Sequence, residues 1–264
     1  MTIKTSKIKK HELVVLLLWP IIAVVISLSL GAKIYLSMLL FYGLPAIYLS
    51  YKNPQHIKKT LLFSLASAIP FAFLFDYVME ITRGWAIGRM EFPHIWFLQY
   101  VSFIQIIWLI LFIYLIVIYY ETFFEKEKTK IIYPKTKWFL GLMLAIFSFV
   151  VLSHFFVPSL LVIDYFYAKA GIVFVLLPVI AFLLEFPSLY GKFLKTASFF
   201  LYYNIIYEIT ALQLDQWSYP AKNQFIGYIT LFKYNFPFEE FFFWIMIGSL
   251  AALSYYEFFD DDEK

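Results

Sequence analysis

The chain has 264 residues, of which 62% are hydrophobic and 23% aromatic, with a formal net charge of +3 and no cysteine. So little polar material cannot cover a soluble domain of this size, and so weak a positive charge gives no basis for nucleic-acid binding. The missing cysteine removes disulfides and thiolate metal sites.

Apolar runs near the ~20 residues that cross a bilayer recur along the whole sequence. In chain order they predict spans at 12–30, 34–51, 60–81, 96–120, 138–157, 170–186, 194–213 and 237–257. The expected fold is all-α: a polytopic membrane protein of about eight transmembrane helices, with no separate soluble domain. The first run is too long for a signal peptide and lacks a small-residue cleavage site.

With eight spans both termini share one side of the membrane. That side carries Lys4, Lys7, Lys9, Lys10, Lys52, Lys58, Lys59, Lys126, Lys128, Lys130, Lys135, Lys137, Lys192, Lys195 and Lys264. The other side keeps only Lys33, Arg83, Arg89, Lys169, Lys222 and Lys233. Positive charge collects in cytoplasmic loops, so the expected location is the cell membrane with both termini cytoplasmic.

The two halves echo each other. Leu44-Pro45 is followed nine residues on by Pro54, and Leu177-Pro178 nine on by Pro187. Asp76 precedes Trp85 by nine, as Glu208 precedes Trp217. Tyr119-Tyr120-Glu121 with Phe123-Phe124 closes one half, and Tyr255-Tyr256-Glu257 with Phe258-Phe259 closes the other. A rival register pairs Glu80-Ile81-Thr82 with Glu208-Ile209-Thr210. Two repeats of four spans are expected, residues 1–130 and 131–264. They share one orientation, and sites in such proteins commonly sit at the repeat interface.

An ionisable residue inside a membrane is costly and marks a functional site by default. Pro237-Phe238-Glu239-Glu240 places two carboxyls at the start of an apolar run. Counting 1.5 Å per residue from the cytoplasmic ends, Asp76 lies roughly 25 Å up, Glu80 roughly 30 Å and Glu208 roughly 21 Å. Asp76, Glu80, Glu208, Glu239 and Glu240 are thus expected at one depth, in the outer third. Successive helical residues point about 100° apart, so one of Glu239 and Glu240 should meet a substrate while the other holds it or holds backbone. Glu121 and Glu257 fall at the cytoplasmic ends and read as interfacial. Asp260-Asp261-Asp262-Glu263 reads as a solvated tail without the spacing of a diphosphate-binding aspartate motif.

Glu208, Trp217-Ser218-Tyr219, Gly227, Pro237-Phe238-Glu239-Glu240, Phe242-Phe243 and Tyr256-Glu257 stand in one order over about 50 residues. In order and spacing this resembles the lycopene cyclase domain of the heterodimeric and archaeal type. That family carries two copies of the domain, in one chain or two. Glu208 stands where the family has aspartate. The first half keeps Asp76 and Gly84-Trp85 but has no Pro-x-Glu-Glu; Ser102-Phe103-Ile104-Gln105 occupies that region, with Gln105 replacing one glutamate.

The resemblance implies ring closure of a linear carotenoid end group without net redox. A carboxylic acid protonates the terminal double bond, the cation closes a six-membered ring, and a base removes a proton. The expected acid is Glu239 or Glu240, with Asp76 and Glu208 as partner or base. Cation chemistry needs water kept out and π-faces nearby. Tyr77, Trp85, Trp217, Phe242 and Trp244 are candidates to supply them, with Gln105 beside them. A lipid-soluble carotenoid or other isoprenoid would enter from the bilayer, and a homo- or hetero-oligomer is open.

No Gly-x-Gly-x-x-Gly is present, which excludes the flavin-binding cyclase type. No cofactor is expected. His11, His56, His94 and His154 lack ligand spacing, so no metal is expected either. Competing readings are a carotenoid hydratase or a membrane terpene cyclase on another isoprenoid, a non-enzymatic paralogue needing a second subunit, and a proton-coupled transporter. Acids at one depth count against the transporter. A retinal photoreceptor needs a mid-membrane lysine, and every lysine here maps to a loop or span end.

Overall fold

The computed structural model describes residues 2–88, 95–125, 136–221 and 223–259, with side chains from Lys10 onward. Arg89, His94, Lys126, Lys128, Lys130, Lys135, Lys222 and the Asp260–Lys264 tail lie outside the described residues, as do the side chains of Lys4, Lys7 and Lys9.

The fold is predominantly helical. The first half runs α1 (Thr2–Leu30), α2 (Ile34–Met38), a π-helical turn (Leu39–Gly43), α3 (Leu44–Lys52), a 3-10 turn on Pro54, α4 (Ile57–Ile81), three short strands and α5 (Phe103–Phe123). The second runs α6 (Thr136–Phe156), α7 (Phe166–Ala170), a π-helical turn (Gly171–Leu176), α8 (Leu177–Glu185), a 3-10 turn on Pro187 and α9 (Tyr190–Gln213). Three strands, a π-helical segment (Glu240–Met246) and α10 (Gly248–Phe259) complete it. The order of elements is thus nearly the same in both halves.

Six segments are long and apolar enough to cross a membrane: Lys10–Leu30, Ile34–Lys52, Pro54–Ile81, Phe103–Phe123, Thr136–Phe156 and Phe166–Glu185. The Glu240–Met246 and Gly248–Phe259 helices, bent by 50°, make a seventh when counted as one span. The remaining expected span, α9, has the length but not the composition. Its buried face carries Tyr203, Asn204, Tyr207, Glu208 and Thr210, and it packs on α1, α5 and α10. A helix enclosed by other helices can carry polar groups that a lipid-facing one cannot. The contrast is α1, where Val14, Leu18, Ile21 and Val25 are exposed, and α6, where Trp138, Leu144 and Phe155 are.

Proline and glycine set the breaks. Pro45 has no N–H for the carbonyl of Phe41 four residues back, and the Tyr203 hydroxyl donates to that oxygen. Pro178 leaves the Phe174 carbonyl in the same position, and the Tyr255 hydroxyl donates to it at 3.0 Å. A Cβ on Gly171 would lie 2.2 Å from the Phe243 ring, so the second π-turn can approach the Glu240–Met246 segment only through glycine.

Short strand pairs, absent from the all-α expectation, link the helices at one end. β1 (Ala86–Ile87) pairs antiparallel with β4 (Trp217–Ser218), joining the two halves. Gly88 N–H donates to the Gln216 carbonyl at 2.7 Å, and a Cβ there would lie 1.9 Å from the Asp215 carbonyl oxygen. β2 (Trp96–Phe97) pairs with β3 (Val101–Ser102) and feeds α5. β5 (Tyr228–Leu231) pairs with β6 (Tyr234–Pro237) and feeds the Glu240 segment.

Glu121 and Glu257, expected at the cytoplasmic ends of their spans, are buried within the protein. Each accepts a hydrogen bond from the other half: Tyr120 OH donates to Glu257 at 3.0 Å, and Tyr256 OH donates to Glu121. Glu121 also meets Lys59 at 2.7 Å and His56 at 3.1 Å. A buried carboxylate this near the membrane requires such partners, and removing it strands the lysine.

Glu121→Ala should therefore destabilise the protein by about 3–5 kcal/mol, against roughly 1 kcal/mol for Tyr120→Phe. Thermal unfolding of the two variants in detergent measures the difference; equal effects would dismiss the charge pairing as the dominant contribution.

Candidate active site

Side chains from both halves converge on one cavity. α4 contributes Ala72, Phe75 and Asp76, and the first turns of α5 contribute Gln105, Trp108 and Leu109. These steps of three and four residues put each set on one helix face. Trp85 arrives from the strand end after α4, and Tyr167 from α7. α9 supplies Glu208, and the β4 segment supplies Trp217 and Tyr219. Glu240 and Trp244, four apart, come from the π-helical segment.

Three carboxyls therefore share the cavity, and among the described residues no Lys, Arg or His lines it. Aromatic donors hold them instead. Trp217 Nε1–H and Tyr219 OH both donate to Glu208 Oε1, each at 3.0 Å. Tyr167 OH donates to Glu240 Oε2. Asp76 Oδ2 accepts the Ser102 backbone N–H, while its Oδ1 has no hydrogen-bond partner among the described residues. The two nine-residue pairs thus differ. Glu208 bonds its tryptophan; Asp76, one methylene shorter, takes a backbone donor, and the Trp85 indole N–H makes no well-formed hydrogen bond among the described residues. The same holds for the indole nitrogens of Trp108 and Trp244. Buried polar groups without partners are rare and cluster where a structure has work for them.

The wall is a chain of ring contacts. Trp244 meets Phe75 edge-on at 5.1 Å, stacks on Tyr167 at 6.2 Å and touches Trp108 at 6.5 Å. Trp85 meets Tyr167 edge-on at 5.7 Å. Such a wall stabilises positive charge without solvating it. Among the described residues, no three His, Asp or Glu side chains are grouped as a metal ion requires.

Asp76, Glu208, Glu240, Trp85, Trp217, Trp244 and Gln105 are all brought to this cavity. Glu239, Tyr77, Phe242 and Glu80 are not. Glu239 is fully buried and its Oε1 accepts the Ile226 backbone N–H at 2.7 Å, pinning the loop just before β5. The divergence of neighbours on a helix thus separates the glutamates into one facing the cavity and one holding backbone. Tyr77, adjacent to Asp76, turns away and bonds His154 Nδ1 at 2.8 Å. Phe242 stacks on Phe238 at 5.7 Å. Tyr167, Tyr219, Phe75 and Trp108 were not singled out as site residues; Tyr219 stands in the Trp-Ser-Tyr motif, and Trp108 follows Gln105 by one helical turn, but Tyr167 has no sequence signal.

No protein-family model, curated protein or solved structure matches the chain.

Tyr219→Phe removes one of two donors to Glu208 and should cost about 1–3 kcal/mol. Trp217→Phe should cost a similar amount, and the double variant more than the sum, because each donor partly satisfies the oxygen when the other is lost. Detergent unfolding of the three variants tests this, and strict additivity would rule out the shared acceptor.

Proposed function

We propose that this chain is a membrane carotenoid cyclase, closing a ring on a linear isoprenoid end group by acid-initiated carbocation chemistry. The observation that carries the reading is the convergence of Asp76, Glu208 and Glu240 on one cavity walled by tryptophan and tyrosine, with no cationic side chain among the described residues of its lining. Carboxyls can deliver and collect protons there, and π-faces can hold the positive charge between those events.

In this reading Glu240, oriented by Tyr167, gives its proton to the terminal carbon–carbon double bond. The tertiary cation is attacked by a second double bond of the same chain, and a six-membered ring forms. Asp76, whose Oδ1 is unpaired among the described residues, removes a proton from the ring carbon beside the new cation. Glu208, fixed by Trp217 and Tyr219, stabilises the cation electrostatically. One proton enters and one leaves, so the product is an isomer of the substrate. Both halves supply catalytic groups, so the chain holds one composite chamber rather than one per half.

The membrane arrangement belongs to the same proposal. The chain crosses the cell membrane eight times as two four-span repeats, residues 1–130 and 131–264, with both termini cytoplasmic. The matching element order, the β1–β4 pairing and the crossed Tyr–Glu bonds support it. So does the Lys-rich character of one set of loops.

Expression in a lycopene-accumulating bacterium, with chromatography and mass detection of the pigments, tests the activity. The expected product has an unchanged mass and a shifted absorption spectrum. Glu240→Gln should lower conversion by about 10²–10⁴-fold. Glu239→Gln retains an acceptor for the Ile226 N–H and should convert normally. A mass gain of one water would replace cyclase by hydratase. Unaltered lycopene with wild-type protein in the membrane would overturn this substrate.

A further inference from the structure

A second cavity adjoins the acidic one and shares Phe75, Leu109 and Trp244 with it. Its chemistry is different. On α4 it is lined by Phe63, Ser67, Phe71 and Phe75, four residues apart at each step and so one stripe along the helix. From Asp76 to Phe63 that stripe covers roughly 20 Å. On α10 the lining is Gly248, Ala251, Ala252 and Tyr255, again one face, and the three small residues make the room.

The hydroxyls in this lining are already committed. Ser67 donates to the Phe63 carbonyl at 2.8 Å, and Tyr255 to the Phe174 carbonyl at 3.0 Å. Among the described residues, no carboxyl, amide or cationic side chain lines it, and Trp244, shared with the acidic cavity, carries its one uncommitted polar atom. Such a space offers little to a polar ligand or to water, which needs several polar partners. The acidic cavity is the reverse, with the carboxyls of Asp76, Glu208 and Glu240 in its lining.

We infer that the second cavity binds the unreacted hydrocarbon chain of an elongated isoprenoid, which lies along α4 and α10 with only one end in the acidic chamber. The inference rests on the cyclase reading for the chemistry at that end, but binding of the chain is a separate property. The joined chambers select a long, unbranched-in-outline apolar molecule with a reactive terminus, and exclude one with a polar group along its length. Trp244, in the wall of both, stands where the reacting end gives way to the tail.

The test follows pigment retained on the purified protein and pigment converted in lycopene-accumulating cells. Ala252→Phe fills the apolar cavity from α10, and Ser67→Leu narrows it from α4; detergent unfolding reports whether each is folded. Retained pigment and conversion should both fall about tenfold or more, equivalent to roughly 1.4 kcal/mol of binding. Glu240→Gln should retain pigment without converting it. If folded Ala252→Phe and Ser67→Leu bind and convert like wild type, the tail site is wrong and the cyclase reading stands. If wild type retains pigment in an Ala252-dependent way but converts none, the tail site stands and the cyclase reading falls. If wild type neither retains nor converts lycopene, both are overturned.

Discussion

Burying carboxyls inside a bundle of apolar helices is the constraint around which this molecule is organised. Two solutions are present in one bundle. Glu121 is met by Lys59 and His56 and closed over by Tyr256, a charge-balanced arrangement that ties helices together. Among the described residues Asp76, Glu208 and Glu240 have no such cations, and are held by indole, phenol and backbone N–H donors around open space. The first solution suits a structural joint. The second suits the proton transfers of the proposed reaction, in which the aromatic wall would also serve a transient cation.

Much of this was legible in the sequence, and the failures have physical causes. Helix placement followed apolar run length. α9 is the instructive element: its tyrosines, asparagine and glutamate lower its apolar character because it faces other helices, so length found it where composition does not. The carboxyls of the cavity were legible because acids in apolar runs are rare. What the sequence did not resolve was direction. Tyr77 and Asp76 are neighbours, yet one faces His154 and the other the cavity. Tyr167 is one of 21 tyrosines, and nothing local distinguishes it; its role comes from α7 being carried against the Glu240 segment. The π-helical segments were also silent, since they arise from how proline, glycine and a neighbouring phenol share carbonyls.

The broken helices have a common purpose in the packing. An unbroken helix through Glu240 would continue straight past the bundle core. The 50° bend before Gly248 turns it, so that Trp244 borders both cavities while Ala251 and Ala252 line the apolar one. Gly171 lets the neighbouring π-turn close against Phe243 at that bend. The shape of the interior thus depends on a few residues chosen for smallness rather than for chemistry.

The crossed bonds Tyr120–Glu257 and Tyr256–Glu121, with the β1–β4 pairing, have the form of an isologous interface, in which the same patch meets itself. Two identical subunits must keep both sides of such an interface the same. A single chain need not. Confined within one polypeptide, the contact persists while its two sides drift apart, and a position on one side can lose an acid that the other keeps. If the halves are the proposed repeats, Gln105 and Glu240, in the lining of one chamber, are the kind of asymmetry that this freedom permits and that a dimer of equal halves would forbid.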